Sequence, residues 1–210
     1  MVYRAFRYAL DHIDELQGAL QQHLLLVASA LAIAILLCVP LGIWTSRSRV
    51  AAVTIIGAFN SLRVVPSLAI LFLAIPYFGL SFTSAAIAIT ILALPPVLIN
   101  TDAAFRSIDP AVRESAFGMG MTKRQVLWRV ELPLAMPVIL TGIRTATVEV
   151  IASATLAAFI GSGGLGIYIT RGFALFDNSI LLVGAVPVAL LTLLAEGVLS
   201  GLQRALQPPS

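Results

Sequence analysis

Charge-free runs punctuate this chain at the scale of a lipid bilayer. Leu24–Ser46 carries no acidic or basic residue, and neither does Val64–Thr101. A hydrocarbon core of roughly 30 Å needs about 20 apolar helical residues, so the first run makes one crossing. As one helix the second would extend roughly 57 Å, at about 1.5 Å per residue. It must fold back instead, and the turn formers of Pro76-Tyr77-Phe78-Gly79-Leu80-Ser81 supply the place. Ala51–Leu62 joins the first half of that run through Arg63. Leu132–Ile160 is interrupted by Arg144 and Glu149, and Asn178–Gln203 by Glu196. The pattern predicts five transmembrane helices, at about 23–45, 51–75, 82–100, 134–160 and 179–202. Pro66 should kink the second of them. The fold class is all-α, a polytopic membrane protein whose residues 1–210 form a single transmembrane domain.

The amino end could be a secretory signal, since Arg4 and Arg7 resemble its positive region. Asp11, Asp14 and Glu15 intervene before the apolar run, and that run is long for a signal. Retention as a membrane helix follows, with residues 1–22 as an interfacial segment and a short helix over 3–20.

Composition agrees and closes other routes. Of 210 residues, 59% are apolar and 11% charged, against about 25% charged in soluble domains. Mean hydropathy is +0.99. A water-soluble globule and a disordered chain are both excluded. A net charge of +3 without a dense basic stripe gives no footprint for nucleic acid. Cys38 stands alone, which excludes a disulfide framework and a thiolate cluster. His12 and His23 are too isolated for zinc, and no metal site is expected.

Lys and Arg in short loops set orientation. Arg47 and Arg49 lie in the first loop. Arg106, Arg113, Lys123, Arg124 and Arg129 lie in segment 101–132, and Arg204 lies in the tail. Five spans put all of these on one side, against Arg4, Arg7 and Arg171 on the other. The expectation is a multi-pass protein of the cell membrane, with segment 101–132 in the cytoplasm, the N-terminus outside and the C-terminus inside.

Segment 101–132 is too polar for lipid and too short for a domain. Asp109-Pro110 is a helix start, with Asp capping free amides and Pro at the first helical position. Ala111–Phe117 reads as a short helix ended by Gly118-Met119-Gly120, with Glu114 placed in its first turn, near the positive dipole end. Thr122 caps a second helix over Lys123–Val130 that leads into Leu132-Pro133. Two short helices around a glycine corner are either a solvated connector or a docking element.

Here the sequence resembles a family. Glu114-Ser115-Ala116, three residues, Gly120, nine residues, Val130, one residue and Leu132-Pro133 match the EAA loop of binding-protein-dependent ABC importer permeases. Ser115 and Val130 are mild departures from its Ala and Ile. Pro66-Ser67-Leu68-Ala69, Pro95 to Thr101, Gly118 to Thr122, Gly142 to Thr147 and Thr155 to Gly166 look like osmoprotectant permeases, which carry quaternary ammonium compounds such as glycine betaine, choline and carnitine. The likeness covers roughly residues 20–205.

The resemblance implies a type I importer permease that is itself non-catalytic and binds no cofactor, with ATP and magnesium on a partner ATPase. Its implied partners are a cytoplasmic ATPase dimer, a second permease copy or homologous permease, an extracytoplasmic substrate-binding protein and the lipid bilayer. It places Arg113, Glu114, Ser115, Ala116, Gly118, Gly120 and Thr122 at the coupling contact, where small residues allow close approach. Ionisable groups within spans tend to face partners or a water path. Arg63 and Glu149, with Pro66, Ser67 and Thr145, are therefore candidates for the translocation path or its gate. Structural ion pairing or snorkelling is the other reading for them, and it is the favoured one for Arg144 and Glu196.

Small residues of the fourth span, Ala146, Ala152, Ser153, Ala154, Ala157 and Ala158, suit close helix packing and contact with another permease copy. Gly161-Ser162-Gly163-Gly164-Leu165-Gly166 spells a dinucleotide loop, but no strand precedes it. It reads as a tight external turn or a docking point for the binding protein. A self-contained secondary transporter or channel is the alternative function. It would call for inverted repeats or a filter sequence, which the chain does not display.

Overall fold

The computed structural model describes residues 1–206. The expected single-domain extent, 1–210, reaches into 207–210, which lie outside the described residues. Among the described residues, ten α-helices carry the fold: α1 (Val2–Asp11), α2 (Ile13–Ser46), α3 (Arg49–Leu62), α4 (Ser67–Phe78), α5 (Phe82–Arg106), α6 (Pro110–Gly118), α7 (Lys123–Val126), α8 (Leu132–Ala154), α9 (Gly166–Ala174) and α10 (Asn178–Leu206). Four stretches among the described residues are long and apolar enough to cross a membrane: α2, α5, α10 and the continuous rod Lys123–Ala154. The bent pair α3–α4 makes a fifth.

α5 is the central post. It packs against α2 on one side and α8 on another, while α3 and α4 wrap its remaining flank. Its Ala85, Ala88, Ile89, Ala93, Val97 and Leu98 are fully buried. Small residues set the spacing. A Cβ on Gly42 would sit 2.6 Å from the Thr101 Cβ, and one on Gly142 would sit 2.6 Å from the Pro96 carbonyl oxygen. Ala146, Ala154 and Ala157 of the fourth span are fully buried within the chain, whereas Ala152 is exposed. Much of that small-residue surface is thus spent on internal packing.

Several boundaries differ from expectation, the third span among them, whose helix runs on to Arg106 rather than ending at 100. The interfacial helix over 3–20 is shorter: α1 stops at Asp11, and residues from Ile13 onward belong to the 34-residue α2. Asp14 and Glu15 in the first turn of α2 complement its positive dipole end, so the break falls at His12 alone. α1 then lies against α10, with Ala5 buried there.

The second span breaks rather than kinks. α3 and α4 meet at 91°. Pro66 supplies no amide and disfavours helix at Val65, and Val64 and Val65 make only tight bonds back to Ser61 and Leu62.

The fourth span begins earlier and ends sooner than 134–160. It runs from Lys123 through a π-turn at Leu127–Glu131 into α8, then passes at Thr155 into a 3-10 segment, Leu156–Ile160. Pro133 and Pro137 have no amides to donate, and the widened turn, with Leu132 N–H bonded to the Leu127 carbonyl, takes up the mismatch.

The glycine-rich stretch is the expected tight turn, with Gly161, Gly163 and Gly164 all at positive φ. It leads into α9, a helix where the sequence predicts only a loop.

Candidate functional site

Two places gather the residues singled out by sequence. The first is the corner formed by α6, α7 and the π-turn. Asp109 caps α6, its carboxylate accepting from the Ala111 amide at 2.9 Å. The helix closes with Gly120 at φ +80° and the Met121 amide bonded back to the Ala116 carbonyl, which is the left-handed glycine closure of a helix end. Thr122 then opens α7 with a reciprocal capping box. Its hydroxyl accepts from the Gln125 amide, and the Gln125 side chain accepts from the Thr122 amide at 2.8 Å. From there the backbone stays helical to Ala154, so the corner is built onto the end of a spanning rod.

A charge cluster locks that corner to the bundle. Glu131, 2% exposed, accepts from Arg113 Nε at 2.6 Å and from Arg47. Arg113 also donates to the carbonyls of Phe105 and Ile108. Arg106 bridges Asp102, at 2.7 Å, and the Thr45 carbonyl, also at 2.7 Å. The ends of α2 and α5, helix α6 and the π-turn are thereby held as one block. Glu131 is the residue that sequence reading missed, because the motif treats its position as a spacer. Its place beside Leu132-Pro133, within one chain turn of a predicted span, was the available signal.

The placements within the corner divide the expected coupling residues. Arg113 points inward as a strut, and Ala116 is buried, so neither lies on the outer surface. Glu114, Ser115, Gly118, Gly120 and Thr122 are exposed. Glu114 is the fifth residue of α6, not in its first turn. Asp109 serves the helix start, and the Glu114 side chain makes no hydrogen bond or ion pair among the described residues. The outer face also carries apolar side chains absent from the expected set: Val112, Phe117, Met119 and Trp128. Nothing within 4 Å would meet a Cβ on Gly118 or Gly120.

The second place is the elbow between α3 and α4. It opens a cleft of about 420 Å³, within the ~300–1,000 Å³ range of small-molecule sites. Arg63, Pro66 and Ser67 line it from the elbow, Pro95 from the middle of α5, and Glu149 and Ser153 from α8. Arg63 donates to Glu149 at 2.9 Å, and both side chains are about four-tenths exposed, 43% and 40%. Thr145 is apart from them: it does not line the cleft, and its hydroxyl donates to the Thr141 carbonyl of its own helix. The other two charges within apolar helices, Arg144 and Glu196, pair with each other between α8 and α10, the structural ion pairing that is one of the two expectations for them.

A family model described as "Binding-protein-dependent transport system inner membrane component" matches residues 38–208. The chain belongs to this family of importer permeases. Among its relatives, the carnitine transport permease protein OpuCB of Listeria monocytogenes is 44% identical over 187 residues, 89% of this chain and 86% of that protein. The choline transport system permease protein OpuBB of Bacillus subtilis is 41% identical over the same shares. The osmoprotectant import permease protein OsmW of Salmonella typhimurium is 39% identical over 96% of both chains. In fold, the chain matches an inward-facing conformation of the MetNI methionine ABC transporter with a TM-score of 0.84, at 19% identity, over 94% of this chain and 99% of that one. The expected type I importer permease fold is therefore what the chain adopts.

Proposed function

We propose that this permease forms the membrane path by which a small osmoprotectant, a quaternary ammonium compound, enters the cell. A separate ATPase dimer drives it through the α6–α7 corner. The observation that carries the mechanism is the unbroken helical run from Lys123 to Ala154, with Glu131 clamped by Arg47 and Arg113 at its root. A push on the exposed face of α6 cannot be absorbed by a flexible joint and is delivered to α8, which forms one wall of the cleft. The substrate class is supported by relatives named for carnitine, choline and osmoprotectants.

In this reading the corner faces the cytoplasm, the N-terminus lies outside and the C-terminus inside, as the loop charges favour. Glu114, Ser115, Gly118, Gly120 and Thr122, with Phe117 and Met119, form the docking face. A second permease copy or a homologous permease completes the path, and an extracytoplasmic binding protein delivers the solute. This chain supplies no hydrolytic group; ATP and its magnesium stay on the ATPase. The test is co-purification with that ATPase, then ATP-dependent uptake of glycine betaine, carnitine and choline into vesicles holding the complex and supplied with the binding protein. Uptake by this chain without any ATPase would refute the proposal.

A further inference from the structure

The Arg63–Glu149 pair at the elbow differs from the Glu131 cluster at the corner in how it is enclosed. Glu131 is sealed within the protein, whereas Arg63 and Glu149 both face an open cleft. Glu149 lies about 24 Å of helix beyond Pro133, at about 1.5 Å per residue, and Pro95 lies in the middle of α5. The pair therefore sits inside the apolar belt, where two half-open charges cannot face lipid without large cost. That side of the cleft is an aqueous path or is covered by protein.

We propose that the pair is an exchangeable subsite for a zwitterion. A solute with a trimethylammonium group at one end and a carboxylate at the other enters between the two side chains. Arg63 takes the carboxylate, and Glu149 faces the ammonium. The charge on each side chain stays matched throughout, so opening the pair strands neither ion. A solute that is only a cation, such as choline, matches Glu149 but leaves Arg63 without its counter-charge inside the belt. The subsite thus favours glycine betaine and carnitine over choline. The described cleft lining contains no aromatic ring, so nothing there builds the cage that holds a quaternary ammonium tightly. Aliphatic walls and one carboxylate give brief occupancy, which suits a step along a path.

This inference rests on the proposed importer function. The test uses the complete complex in vesicles, with one binding protein throughout, and reads the ratio of choline uptake to glycine betaine uptake. That ratio does not depend on how much complex is folded or active. Arg63→Gln is expected to shift it toward choline by about tenfold or more, the scale of one lost charge-assisted contact. Glu149→Gln is expected to slow both solutes, and the exchanged pair Arg63→Glu with Glu149→Arg to recover zwitterion uptake, since both charges are again present. An unchanged ratio in Arg63→Gln, with wild-type uptake intact, overturns the subsite and leaves the importer function standing. Absence of ATP-dependent uptake of any of the three solutes by the wild-type complex overturns the importer function, and the subsite falls with it.

Discussion

Glu131→Gln is the most informative perturbation of the corner. The substitution keeps the side-chain shape and removes the charge that two guanidinium groups share. Removing one partner of a buried ion pair costs about 3–5 kcal/mol when the stranded charge stays buried. Here the loss is smaller. Arg47 is 44% exposed at its side chain and can turn to water, although it also lies 6.0 Å from the centre of the Phe105 ring. Arg113 is only 23% exposed, but it keeps the Phe105 and Ile108 carbonyls as acceptors. The stranded charge is mainly that of Arg113, which brings the expected cost to about 2–3 kcal/mol. On the scale of soluble domains of this size, that lowers the unfolding midpoint by about 5–10 °C. The assay is thermal unfolding of the purified complex, run beside ATP hydrolysis stimulated by the loaded binding protein. The expected result is a lower midpoint and hydrolysis that no longer tracks solute. A double replacement, Arg113→Leu with Glu131→Leu, strands one charge fewer and should recover part of the midpoint without restoring coupling. An unchanged midpoint and normal coupling in Glu131→Gln would refute the claim that this cluster ties the corner to the bundle.

Other predictions follow from the backbone and the remaining charges. Gly120 adopts φ +80° in open space, so Gly120→Asn, which tolerates that conformation, should keep both folding and ATPase binding. Gly120→Leu adds about 1–2 kcal/mol of local strain and bulk on the docking face; it should insert normally yet lose solute-coupled ATP hydrolysis, and normal transport would count against the docking role. Gly142→Val places a side chain where a Cβ already lies 2.6 Å from the Pro96 carbonyl oxygen, and should reduce the yield of monodisperse protein in size-exclusion chromatography. Asp177 accepts from the Ser179 amide at 2.8 Å, and that bond foremost, then the charge of Arg4, outweighs partial desolvation and holds its carboxyl below the usual range. A group lowered in the folded state stabilises above its ordinary pKa of about 4 and ceases to do so as pH falls through the lower folded value. Protection of the first-turn amides of α10 and of α1, taken relative to their intrinsic exchange rate at each pH, should therefore fall on acidification below about pH 4 in the wild type, with no such step in Asp177→Asn.

The spans were legible because a bilayer imposes a coarse rule: long stretches without charge. Leu24–Ser46 and the fold-back at Pro76–Ser81 needed nothing more. The corner was legible because caps are local chemistry, and Asp109, Gly120 and Thr122 each sit where a backbone group needs them. Elsewhere the decisive interactions join positions far apart in the chain. Arg63 and Glu149 are 86 positions apart, and Arg144 and Glu196 are 52 apart, so no local pattern pairs them. Glu131 was hidden for the same reason, since Arg47 reaches it from a different helix end. α9 escaped because nine residues between two spans leave too short a pattern to separate a helix from a polar turn.

The extra-wide turn at Leu127–Glu131 has a bearing on how such chains can change length. Each α-helical residue advances the side-chain direction by about 100°, from about 3.6 residues per turn. The wide turn absorbs its extra residue locally, so deleting one residue there would let an ordinary helix close with little change of direction. Deleting one elsewhere in the Lys123–Ala154 rod would instead swing everything ahead of it by a comparable angle about the axis of α8. α6 would then present a different flank to whatever binds it, although no motif residue had been altered. Single-residue indels in the regular part of the rod should be far less tolerated than at Leu127–Glu131, and a homologue that lacks the extra residue there would need no compensating change elsewhere in its loop.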